Sequence, residues 1–150
     1  MTEEFILDLG QYVGANIELD LKKYSEELRP FLKHYKNLYR IWSEVDSDHV
    51  EQRLQSTDML ATTLSLEAIS YMAEDSSYAD GSIVTMHAGI GFMPIPILKK
   101  ALALEIVTEE KSFIKSVIMD NEYQQEVLLV APDKEFEYYG MWINDEIEKL

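Results

Sequence analysis

No cysteine occurs anywhere in the 150 residues. Its absence removes disulfides, thiolate metal ligands and a cysteine nucleophile, and it fits a reducing compartment. Basic side chains are scarce, 13 against 28 acidic ones, for a formal charge of −15. Direct nucleic-acid binding rests on lysine and arginine contacts to phosphate, so this balance speaks against it. It speaks equally against attraction to an anionic membrane surface. No apolar run approaches the ~20 residues that span a bilayer. The N-terminus, MTEEFILDLG, carries acids where a secretory leader has a basic segment. A soluble, cytoplasmic protein is expected. Internal repeats and low-complexity segments are missing too.

What is present is the material of a core. The chain is 47% hydrophobic, with nine Tyr, five Phe and two Trp. That content argues against disorder, in spite of the charge. The length favours one domain over 1–150.

Residues 2–13 read as a helix: Thr2 as its cap, Glu3 and Glu4 at its positive end, Gly14 as its stop. Next comes an apolar seam at Leu21, Tyr24, Leu28, Phe31, Tyr35, Leu38, Trp42 and Val45, in alternating steps of three and four. Period 3.5 predicts a long amphipathic helix, kinked or broken at Arg29–Pro30. After VDSDH, where Asp48 and Glu51 have capping-box spacing, a second seam runs from Val50 through Leu54, Thr57, Ala61, Leu64 and Ala68 to Tyr71. Two such seams predict a helical hairpin. EDSSYADG, residues 74–81, reads as a loop. Ser82–Ala88 reads as a strand, and the apolar HAGIGFMPIPI after it is punctuated by Gly89, Gly91, Pro94 and Pro96. From Leu102 an antiparallel meander is expected: Leu102–Ile106, Lys111–Met119, Tyr123–Ala131 and Glu135–Ile143, then a helical turn over 144–150. Phe113, Ile114, Val117 and Ile118 also fit helical spacing, with Thr108 as N-cap, and the strand reading is preferred there. The expected fold is therefore α+β, an N-terminal helical hairpin (about 2–75) packed on a C-terminal antiparallel β-sheet (about 82–143).

Chemistry is thinly signalled. His34, His49 and His87 form no HxH or HxxxH pair, so no local zinc site is expected. Asp46, Asp48 and Glu51 lack the ligand number and central glycine of a calcium loop, and capping explains two of them. Asp80, Ser82 and His87 are triad residue types without a nucleophile elbow. Gly89-Ile-Gly91 is too short for a dinucleotide fingerprint. No catalytic residue, metal or cofactor is assigned. Ile90, Phe92, Met93 and Ile95 read as core in preference to an adhesive loop. Arg29, Lys33, Lys36 and Arg40 step as one solvated helix face.

The acids gather toward the end. Residues 101–150 hold twelve acidic and four basic side chains, a net of −8. On the last strand Glu135 and Glu137 alternate with Phe136, Tyr138 and Trp142, which places the carboxylates on the opposite face beside Tyr139. Asp133, Asp145, Glu146 and Glu148 flank them. These seven residues form the candidate partner-binding surface: charge steers a basic partner and an aromatic anchors it. The corresponding function is a non-catalytic acidic protein-binding protein. It is of the inhibitor, antitoxin, immunity or phage anti-defence kind, occluding a basic site on a toxin or nucleic-acid-processing enzyme. Two alternatives stand beside it. One is a small enzyme or ligand-binding domain with its site between helices and sheet near His87 and Gly89–Pro96, drawing on carboxylates such as Glu67 or Glu105. The other is a structural subunit of a multi-chain assembly, and the heptad seam also permits a homodimer.

Overall fold

The computed structural model describes residues 1–42, 59–75, 82–132, 137–143 and 146–149. Among them are the helices α1 (Glu3–Ala15), α2 (Ser25–Leu28), α3 (Leu66–Asp75), α4 (Pro94–Ala103) and α5 (Lys111–Asn121). The strands are β1 (Lys33–Trp42), β2 (Leu60–Thr63), β3 (Ser82–Phe92), β4 (Glu126–Pro132), β5 (Glu137–Ile143) and β6 (Glu146–Lys149). The architecture is α+β, but helices and strands are interspersed along the chain, and the expected split into a helical front and a β rear does not hold.

The start of the chain follows its local signals. Thr2 caps α1, its hydroxyl accepting from the Phe5 N–H at 3.3 Å. The helix runs past Gly14 and closes at Asn16, whose φ of 56° is left-handed. Gly14 serves packing instead. A Cβ there would stand 2.8 Å from Cγ2 of Val117, and one at Gly10 would stand 2.7 Å from Cδ1 of Ile114. Both glycines thus let α5 approach α1 closely. The expected break at Pro30 is present: α2 gives way to a 3₁₀ turn at Arg29–Phe31.

Beyond Pro30 the long-helix expectation is overturned, because Lys33–Trp42 is a strand. The reason lies in a bulge. Tyr35 pairs with Gly89 and Leu38 with His87, so three steps along β1 match two along β3. Asn37, inside this irregularity, has a φ of 56°. The extra residue brings Tyr35 and Leu38 to one face, and Trp42, four further on, joins them by alternation. A bulged strand has reproduced the three-and-four steps of a helix. Of the second seam, Leu60–Thr63 is strand and Leu66–Asp75 helix. Val45, VDSDH and positions 50, 54 and 57 lie outside the described residues.

The rear half changes in a similar way. Pro94 and Pro96 fall in the first turn of α4, where backbone N–H groups have no intrahelical acceptor, so both are accommodated. The expected strand at Leu102–Ile106 is instead the end of that helix and the chain leaving it. Lys111–Asn121 is helical, not a strand: Ile114, Val117 and Ile118 are buried as one stripe against α1 and α4. Thr108 does not cap it and contacts the Glu3 carboxylate at 3.2 Å. The last segment, expected as a helical turn, is β6.

All strand pairs are antiparallel. The sheet order is β1-β2-β4-β3-β5-β6, and β1 also pairs with β3, so β1, β2, β4 and β3 close into a four-stranded barrel. The β5–β6 hairpin extends from β3. Leu38, Trp42, Leu60, Val127 and Leu129 pack together inside the barrel. Leu128, the outward neighbour of Val127 and Leu129, joins Phe5, Leu9, Phe92, Leu98 and Ile114 in the core beneath α1, α4 and α5. Ile41, Ile69, Ala73 and Trp142 form a third cluster under α3. Phe92 and Ile95 are buried, which places the Gly89–Pro96 segment in the core, with Ile90 exposed.

Candidate functional site

The terminal hairpin carries the described part of the acidic surface. Glu137, Glu146 and Glu148 are all exposed. Asp133, Glu135 and Asp145 lie outside the described residues. The expectation of a single carboxylate face does not survive the register. Val84 pairs with Gly140 and Thr85 with Tyr138, so Tyr139 is an extra residue in β5. The bulge turns Tyr139 to the side of Trp142, where it is half-buried in the cluster under α3. Its ring meets Tyr39 edge-on at 5.5 Å, and Lys149 Nζ lies 5.4 Å from its centroid. Tyr139 is thus a packing residue and not an outward anchor. Glu137 and Tyr39 both pair with Met86, which sets Glu137 on this same side. Ile147, opposite Trp142, packs into the cluster too, so Glu146 and Glu148 point the other way by alternation. The carboxylates straddle the hairpin, and β6 is the last strand of the sheet. What they border is an edge.

The remaining candidates disperse. Of the supposed basic face, Arg29 pairs with Glu26 at 2.9 Å, and Lys33, Lys36 and Arg40 belong to β1. His34 lies exposed on β1, His87 falls on β3, and His49 is outside the described residues with Asp46, Asp48, Glu51 and Asp80. Glu67 accepts from the Tyr71 hydroxyl at 3.5 Å on the surface of α3, and Glu105 is exposed after α4.

One cluster emerges that sequence reasoning missed. Glu126 opens β4 opposite Thr63. It keeps some surface contact, yet its carboxyl is enclosed, and burial pushes its pKa up to about 7 while the Arg40 cation pulls it down. Burial also raises the Tyr12 phenol; the Glu126 charge adds to this and Arg40 opposes it. Arg40 Nη1 donates to the Ala61 carbonyl at 2.7 Å, and its guanidinium lies 5.1 Å from the Trp42 ring. Arg40 lines a small cavity of about 80 Å³ with Thr62, Thr63, Gln124 and Glu126. It also lines a recess of about 290 Å³ with Tyr12, Asn16, Trp42 and Met59. A carboxyl titrating near neutrality beside a fixed cation can hold or pass a proton. The only sequence signal was an acid heading the apolar run Val127–Val130. Nothing local linked it to Arg40, 86 residues earlier.

Among the described residues, no group of three or more His, Asp or Glu is arranged to hold a metal, and no helix is long and apolar enough to cross a membrane. Comparison with protein-family models, curated proteins and solved structures finds no match to this chain.

Proposed function

We propose that the protein is a non-catalytic acidic binder that docks through its terminal hairpin onto a basic site of another protein, as an inhibitor, antitoxin or immunity protein would. The observation that carries this reading is the exposure of Glu137, Glu146 and Glu148 along a hairpin at the end of the sheet, in a chain of charge −15. Carboxylates on both sides of such an edge steer a cationic partner toward it and oppose acidic ones. The test is capture from source lysate at low salt with three proteins. They are the wild type, the triple variant Glu137→Lys, Glu146→Lys and Glu148→Lys, and a control with the same reversal at Glu105, Glu109 and Glu110. A basic protein held by the wild type and the control is expected to bind the triple variant about 10- to 100-fold more weakly. Equal retention by all three abandons the hairpin.

Glu126 favours a second reading, a small-ligand site along Arg40. An enclosed carboxyl whose burial pushes its pKa up to about 7 is costly to keep, and such groups concentrate where chemistry or binding needs them.

A further inference from the structure

Two exposed tyrosines meet on the surface: Tyr71 of α3, 49% accessible, and Tyr123, 43% accessible, in the 3₁₀ turn Glu122–Gln124 that follows α5. Their rings lie 6.2 Å apart at 87°, edge to face. Rings so nearly perpendicular form a corner with a π face on each wall. Glu67, one turn before Tyr71 on the same face of α3, is exposed and accepts from the Tyr71 hydroxyl at 3.5 Å. The Tyr123 hydroxyl accepts from Gln124 Nε2 at 3.2 Å. Backbone contacts fix the arrangement. The Gln124 carbonyl accepts from the Thr63 hydroxyl, and the Gln125 carbonyl accepts from the Leu64 N–H at 3.3 Å. The turn is thereby tied to the chain entering α3, so the corner stands ready and a partner meets little ordering cost.

Charge and ring chemistry select the occupant. Residues 59–75 and 120–132 each hold three carboxylates and no Lys, Arg or His. Glu122 is already met by Lys99, whereas Glu67 has no ion pair among the described residues. An apolar side chain seated on the tyrosines would strip water from Glu67 and return nothing for it. A cation does return something: the ring faces attract it and the carboxylate pairs with it. Among cations the guanidinium is planar and weakly hydrated; it stacks on rings and meets carboxylates as a fork, which an ammonium does not do. We propose that the corner between Tyr71 and Tyr123, with Glu67 beside it, receives an arginine side chain of a basic partner protein. The proposal rests on the reading of the protein as a binder of basic partners and makes no use of the hairpin.

Titration of the full chain at low salt with two end-capped peptides, tetra-arginine and tetralysine, tests this through the ring resonances of Tyr71 and Tyr123. The peptides carry equal charge, so unspecific attraction to a chain of −15 is the same for both. The wild type is expected to bind tetra-arginine about threefold or more tightly than tetralysine, with both tyrosine rings shifted. Tyr71→Leu combined with Tyr123→Leu, changes at exposed positions, is expected to abolish that preference, and Glu67→Gln to reduce it. The reversal of Glu137, Glu146 and Glu148 to Lys is expected to weaken both peptides alike and keep the preference, so a hairpin that fails in lysate capture leaves this result unaltered. Absent or equal binding of the two peptides overturns the proposal. So does a preference that survives the loss of both tyrosines or disappears with the hairpin charges.

Discussion

Glu126 is where one side chain sets a property of the whole chain. An isolated glutamate loses its proton near pH 4.5, whereas in the folded protein this one holds it up to about 7. The folded state therefore binds the extra proton between those values, and stability falls as pH rises through that window. Below pH 4.5 the group exacts no penalty; above 7 the penalty is complete, about 3 kcal/mol at most. Glu126→Gln is expected to match the wild type near pH 4.5 and to exceed it progressively toward pH 8, measured by urea unfolding across that range. A constant difference at all pH values removes the titration account. Gly91 is a second position with a sharp requirement. A Cβ there would fall 2.3 Å from the Leu128 carbonyl oxygen, a backbone atom that cannot swing aside. It sits at the irregularity where Ile90 pairs with Ala131 and Gly91 with Leu129. Gly91→Ala is expected to lower stability by about 1–3 kcal/mol in the same assay, since the β3–β4 ladder must shift to admit it.

At the scale of elements, the readable parts of the fold were those governed by neighbours in sequence. Thr2 and the acids after it specified α1, Pro30 specified a break, and the β-rich texture after Ser82 specified β3. The unreadable parts shared one cause. Tyr35 and Leu38, and likewise Tyr139 and Trp142, are three apart and share a face only because a bulge intervenes. Bulges are fixed by the partner strand, which the sequence does not identify. β1 hid further because both faces of its second half are covered: Leu38 and Trp42 enter the barrel while Ile41 packs under α3. A stretch of strand buried on both sides shows no clean alternation. The same bulge on β5 turned Tyr139 and Glu137 to the side of Trp142, opposite Glu146 and Glu148, so the described carboxylates stand on either side of an edge. The cluster of Arg40, Glu126 and Tyr12 was illegible for a related reason: closure of the barrel gathers three elements that no spacing rule connects.

For the molecule as a whole, 28 carboxylates against 13 cations store electrostatic repulsion in the compact state. Raising the salt from about 0.02 to about 0.3 M shortens the Debye length from tens of ångströms to under ten, so the thermal midpoint is expected to rise with sodium chloride. A flat or falling midpoint would mean that local ion pairs offset the surplus. Connectivity has its own consequence. β3 is bonded to β1, β4 and β5, and Lys33 of β1 waits for Gly91, 58 residues later. During synthesis on the ribosome, the first 75 residues emerge with β1 lacking its long ladder and its face under α3 lacking Trp142. Barrel closure comes only when β4 has cleared the exit tunnel, so the nascent chain passes through a stage of bare strand edges and uncovered aromatics. Its most vulnerable interval is thus its own manufacture.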